Sequence, residues 1–263
     1  MSIRKHVWLE ERAPHLLLAA RRLLWLAEPR GRNSRRRLKA LRGRYAGRRC
    51  FILGNGPSLN GMDLRPLASE ITFSLNRGYL LYDRIGAPST FHVVVNPLVA
   101  EQWTDELANL PNTKLIDWSL RRFFHPQADI VYWGWPTRSM TPRFSRDVTK
   151  DIWSGATVTY VALQLAYAMG FNPVILVGVD HRYRAEGKPH QEVVAAGEDP
   201  NHFAPDYFGK GSRWNLPDLE TSELAYTLAR HYYHADGREI LDATVGGALQ
   251  VFPKIDFGSL FPG

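Results

Sequence analysis

From Cys50 onward, short apolar runs recur at intervals, and this repetition constrains the fold more than any other property of the chain. The runs cover residues 50–53, 71–75, 91–95, 114–117, 130–133, 174–177 and 239–243, and between several of them lie stretches with helical spacing. Short β-branched or aromatic runs alternating with helices point to an α/β fold, with a mostly parallel sheet of about seven strands joined by helical crossovers. The clearest helix is predicted over 156–169, where Val158, Val161, Ala162, Leu165, Ala166 and Met169 recur three and four residues apart. Ser154 precedes it as a natural N-cap and Gly170 follows as a stop. A second long helix is expected over 218–234.

Charge divides the chain in two. Residues 1–49 hold 15 Lys and Arg against 3 Asp and Glu, whereas the other 214 residues hold 18 against 23. Residues 1–47 therefore read as a basic helical extension and 48–263 as the main domain, which is mildly acidic. A nucleic-acid binder should carry positive charge on its folded body, so this split weighs against nucleic acid as a partner. The extension is also apolar in part, through Trp8, Leu9, Leu16, Leu17, Leu23, Leu24, Trp25 and Leu26. Glu28-Pro29-Arg30-Gly31 should end its first helix, and a second basic run follows over 35–42. Two readings stay open: a solvated helical face packed on the main domain, or a peripheral contact with an anionic membrane surface. The stretch 16–27 is broken by Arg21-Arg22 and too short to cross a bilayer, and no secretory cleavage site follows it. The expected location is cytoplasmic, at most peripheral on the inner membrane face. The lone cysteine, Cys50, cannot form an intrachain disulfide and is expected as a buried strand residue.

The first strand runs into Gly54-Asn55-Gly56-Pro57-Ser58. Two glycines at a strand's carboxyl end let main-chain N–H groups approach a phosphate or ribose, and Asn55 and Ser58 add neutral hydrogen-bonding groups. The dinucleotide fingerprint and the Walker loop are both incomplete here. Two further strand ends finish in Asn76-Arg77 and Asn96-Pro97. Their amides either cap the next helix or join Asn55 in reading a nucleotide, with Arg77 offered to phosphate. Ser154, Gly155 and Thr157 open the best helix, whose first N–H groups and dipole favour an anion. Asp180, His181 and Tyr183 follow the 174–177 strand, where Asp180 and His181 can hold a metal, a ribose or a proton in transit or simply bond the loop, and Asp180 is a candidate catalytic residue. The polar and aromatic loop 199–211 contains His202, Asp206, Tyr207 and Lys210 and is expected to form a lid or wall. His202 is the expected general base because an imidazole titrates near neutrality.

Taken in order, Gly54-Asn55-Gly56-Pro57-Ser58, Asn76, Asn96-Pro97, Ser154-Gly155 and Gly178-Val179-Asp180 resemble the 6-hydroxymethylpterin diphosphokinase-like family. They are similar also to the related Campylobacter-type CMP-sialic-acid sialyltransferases and motility-associated flagellar glycosylation factors. The resemblance spans about residues 48–257. It implies a Rossmann-like fold binding a nucleotide across Asn55, Gly56, Asn76, Asn96, Ser154 and Gly155. It also implies transfer of a glycosyl group from a nucleotide sugar, CMP-linked by analogy, to a glycan or lipid-linked acceptor in bacterial surface-polysaccharide synthesis. In that analogy His202 is the base on the acceptor hydroxyl, while Tyr183 and Tyr207 steady the departing phosphate. The kinase branch implies instead ATP with Mg²⁺ and pyrophosphoryl transfer to a hydroxymethylpterin, with Asp180 and Asp206 as the metal carboxylates. A third reading is a nucleotide- or glycan-binding protein without turnover.

Overall fold

A computed structural model describes residues 14–134, 142–150, 152–184 and 187–261. Seven strands form one wholly parallel sheet in the order β5-β4-β3-β2-β1-β6-β9. They are β1 (Cys50–Leu53), β2 (Thr72–Leu75), β3 (Phe91–Val94), β4 (Thr113–Asp117), β5 (Ile130–Trp133), β6 (Val174–Val177) and β9 (Ile240–Asp242). Nearly every residue of the six strands β1–β6 is buried. Parallel strands covered on both faces need unbroken apolar runs, which is why these were visible in the sequence. The expected α/β, Rossmann-like fold class is the observed one. A separate antiparallel hairpin of β7 (Glu192–Val194) and β8 (Arg213–Asn215) frames the 199–211 loop.

Four long helices accompany the sheet: α1 (Pro14–Ala27), α2 (Pro29–Leu41), α3 (Val158–Met169) and α4 (Leu219–Ala235). Helix α3 packs across β1, β2 and β3, and α4 packs on α3. The N-cap of α3 is Thr157, whose Oγ1 accepts from the Thr159 N–H at 3.3 Å. The expected cap at Ser154 is thereby corrected: Gly155 and Ala156 both have positive φ, so the chain turns before the helix begins. Gly170 ends α3 in the left-handed conformation, and Asp218 caps α4 through Thr221.

Within the described part of the basic extension, Trp25 and helix α2 pack on the main domain. Pro29 breaks the first helix as expected but also starts α2, as proline at a first helical position can. Trp25 is 1% exposed, packs edge-on against Trp118 and donates to the Thr149 carbonyl. Helix α2 lies along the outer edge of β5: Ser34 Oγ accepts from the Tyr132 N–H, and Arg37 donates to the Ala128 and Ile130 carbonyls. Trp8 and Leu9 lie outside the described residues. No helix among the described residues is long and apolar enough to cross a membrane.

Candidate functional site

The chain builds outward from β1 to β5, then returns through α3 to place β6 on the other side of β1. Such a reversal, beyond the carboxyl ends of the strands, is where open α/β sheets bind ligands. The loops after β1 and β6 meet there and fasten to each other. Gly54 N–H donates to the Val177 carbonyl and Gly56 N–H to the Gly178 carbonyl. Ser58 donates both its N–H, at 3.0 Å, and its hydroxyl to the Asp180 carboxylate. A Cβ at Gly54 would stand 2.6 Å from the Gly178 carbonyl carbon, and one at Gly56 2.9 Å from Asp180 Cβ. These glycines therefore make room for protein atoms. The expectation that the loop's N–H groups face a phosphate gives way here: those of Gly54, Gly56 and Ser58 are all committed inside the protein. Pro57 is exposed at the turn.

Around this fastening the structure gathers residues from three strand ends and one loop. The Asn55 carbonyl accepts from the Phe203 N–H at 2.9 Å, which seats the 199–211 loop over β1. The Asn55 side chain donates to the Leu75 carbonyl, while its Oδ1 is buried without a hydrogen-bond partner. At the end of β2, Asn76 adopts a left-handed conformation with φ 51°. Its Oδ1 accepts from the Val95 N–H, and its carbonyl accepts from His92 Nε2 at 2.7 Å. Arg77, expected to meet phosphate, lies 6% exposed beneath the loop. Its guanidinium donates to the Asp206 and Tyr207 carbonyls and sits 4.1 Å above the Trp103 ring, so it clamps the loop to β2.

The clamp places His202 in a carboxylate pair. His202 Nδ1 lies 2.7 Å from Asp199 Oδ2, and both side chains are nearly buried, at 7% and 5% exposure. Burial pushes the Asp199 carboxyl up, but hydrogen bonding and charge attraction from His202, with the Asn201 N–H, hold it below the ordinary carboxylate range. Asp199 is therefore an acceptor at Nδ1, and Nε2 is the ring nitrogen left for a substrate. Nε2 has no hydrogen-bond partner among the described residues. One face of the ring stacks on Tyr207, with centroids 4.0 Å apart and planes 3° apart, while Tyr183 and Phe208 meet it edge-on. Burial pushes the phenols of Tyr183 and Tyr207 upward, so both stay protonated donors.

Tyr183 connects this pair to the rest of the site, lying within electrostatic reach of Asp199, Tyr226 and Asp180. From α4, Tyr226 meets Thr157 at 3.4 Å and packs 6.0 Å from the His181 ring, whose Nε2 lies 3.3 Å from Glu223. The start of α3 thus reaches the site through Thr157 and Tyr226. Gly155 serves packing: a Cβ there would stand 2.6 Å from both Ala225 and Tyr160. Ser154 is half-buried, and its carbonyl accepts from the Thr157 N–H. Asn96 is the N-cap of the short helix Pro97–Gln102, accepting from Leu98 and Val99, and so leaves the row of nucleotide-reading amides. Asp206 is exposed and shares no partner with Asp180, whose carboxylate is held by Ser58. No group of three or more metal-ligating side chains stands together among the described residues. Sequence reasoning assigned no role to Asp199, Glu223 or Tyr226. Asp199, three residues before His202, was the one with a local signal.

No family model matches the chain, and no curated protein does. Among solved structures it is similar to the MAf glycosyltransferase from Magnetospirillum magneticum AMB-1, at 16% identity and a TM-score of 0.47. The match covers 85% of this chain and 38% of that one, so this chain spans well under half of that protein's length.

Proposed function

We propose that the protein is a group-transfer enzyme acting on an activated nucleotide, and that the reaction is glycosyl transfer from a nucleotide sugar to an acceptor hydroxyl. The observation that carries this reading is the Asp199–His202 pair at the carboxyl edge of the sheet, oriented by Asp199 and open at Nε2. In the proposed step, His202 Nε2 takes the proton of the acceptor hydroxyl as its oxygen bonds to the donor's anomeric carbon. The bond from that carbon to the phosphate oxygen breaks, and its electron pair leaves with the nucleoside phosphate. Asp199 holds the imidazole in the required tautomer and stabilises the imidazolium that forms. In this reading Tyr183 and Tyr207, kept protonated, steady the departing oxyanion. The motif resemblance favours a cytidine nucleotide as donor and a surface glycan or its lipid-linked precursor as acceptor.

A thermal-shift panel of CMP, UDP, GDP and ATP, each with and without Mg²⁺, tests the donor class. At 100 times its dissociation constant the true ligand adds about 2.7 kcal/mol, a rise of roughly 5–10 °C for a chain of this size. Protection by a pyrimidine nucleotide supports the reading. Protection by ATP with Mg²⁺ alone replaces it with pyrophosphoryl transfer.

A further inference from the structure

The outer face of α1 carries exposed leucines, and none of the described residues buries them. Trp25 anchors the helix inward, at 1% exposure, whereas Leu23, Leu24 and Leu26 are 66%, 46% and 41% exposed. At 3.6 residues per turn, Leu26, Ala19, Leu23, Ala27, Ala20 and Leu24 form one continuous arc of roughly 160° centred opposite Trp25. Arg22, also exposed, borders that arc. Packing with the main domain, which α1 achieves through Trp25, therefore does not explain the leucines.

Helix α2 packs on α1 and carries exposed cations. Exposed Arg32, Arg36, Lys39, Arg42, Arg44 and Arg48 lie on α2 and the turn after it. The only carboxylate among residues 14–49 is Glu28, half-buried and paired with Arg30 and Arg121. An apolar helical face on a cationic sector is complementary to a bilayer whose headgroups are anionic. Leucine side chains enter the acyl boundary, and the cations meet lipid phosphates within a Debye length. A nucleic acid would use the cations but leave the leucine arc without a partner.

We infer that the face of α1 bearing Leu23, Leu24 and Leu26 is a membrane-docking surface, its occupant the interfacial region of an anionic lipid bilayer. The helix lies in the interface without crossing it. This inference stands apart from the proposed chemistry and would place the catalytic domain beside whatever acceptor a membrane holds.

The test uses the full chain and sedimentation with vesicles of phosphatidylcholine alone or with 30% phosphatidylglycerol. The expected result is binding to the anionic vesicles only, weakened at least tenfold by the triple substitution L23Q/L24Q/L26Q. Added salt and the pair R36Q/R42Q are also expected to weaken it. The residues are exposed, so the melting temperature of the triple variant should match the parent's, which separates lost docking from lost folding. Equal binding by parent and triple variant overturns the inference, as does absence of binding to anionic vesicles. Light scattering after size exclusion supplies the third arm: a dimer that the triple variant converts to monomer assigns the arc to a second copy of the chain and overturns the lipid occupant.

Discussion

His202 and His92 are both buried imidazoles, yet their partners give them opposite duties. His202 faces a carboxylate with one nitrogen and has the other free. Replacing it with alanine should lower kcat by about 10²–10⁴-fold while nucleotide affinity changes little, since a base acts on the acceptor's proton. Steady-state kinetics beside nucleotide titration check this, and full turnover by H202A would remove the base assignment. His92 has both nitrogens engaged: Nε2 donates to the Asn76 carbonyl, and Nδ1 accepts from Ser74 Oγ at 2.6 Å. Burial pushes its pKa down from 6.5 to about 3, against the raising effect of the Asn76 carbonyl and with a lowering contribution from Lys114. Between those values the unfolded chain holds a proton that the native ring does not. Stability is therefore complete above the unfolded value and falls on acidification, by up to about 1.4 kcal/mol per pH unit. The stability difference between parent and H92Q should narrow as pH drops from 7 to 4, read from denaturant midpoints. A pH-independent difference would show that His92 does not titrate this way. The general-base expectation at His202 rested on local chemistry, an imidazole in a polar loop, and the structure adds the Asp199 carboxylate at Nδ1. Where partners come from distant strands, residue roles were not legible. Arg77 looked like a phosphate ligand because nothing in the sequence shows that the Asp206 and Tyr207 carbonyls lie above it.

Strands and helices were the most readable elements. Every strand of the main sheet was expected within a residue or two of its observed ends, because burial on both faces writes an uninterrupted apolar run. Hairpin β7–β8 was missed: Glu192 to Val194 and Arg213 to Asn215 are short, partly exposed and carry no run. Glycine meaning was also hidden, since a glycine that admits a phosphate and one that admits a neighbouring carbonyl look alike in sequence. The β1 and β6 loops distinguish them. A methyl at Gly54 would push directly into the Gly178 backbone, which flexible side-chain motion cannot relieve. Gly54→Ala should therefore cost about 2–4 kcal/mol by separating the two loops. Gly61 is the control: nothing lies within 4 Å of its added methyl, and its backbone is not left-handed, so Gly61→Ala should stay within about 0.5 kcal/mol. Chemical denaturation of both variants decides the matter, and equal stability would mean that the loops move apart freely.

At the scale of the whole molecule, the charge division seen in the sequence does not coincide with a division of the fold. A leader with 15 cations against 3 carboxylates looks detachable, but its second helix finishes the sheet. Strand β5 is an edge, and an uncovered edge presents N–H and C=O groups to any other strand. Helix α2 supplies the missing partners through Ser34 and Arg37, while Leu38 is 2% exposed within the core. Helix α1 adds Trp25 against Trp118, whose ring also receives Arg121 at 4.2 Å. Nothing in the composition tells which strand becomes the edge, so this role was not readable before the topology was known. Burial of Trp25 and Leu38 alone contributes about 3–6 kcal/mol, a large share of the margin by which a domain stays folded. Removing residues 1–46 should accordingly lower the melting temperature by roughly 10 °C or more and expose both Trp118 and the β5 edge. The truncated chain is expected to self-associate through that edge, seen as concentration-dependent scattering. If it remained monomeric and melted with the parent, the extension would be an accessory after all, and the sheet would need some other cover for β5.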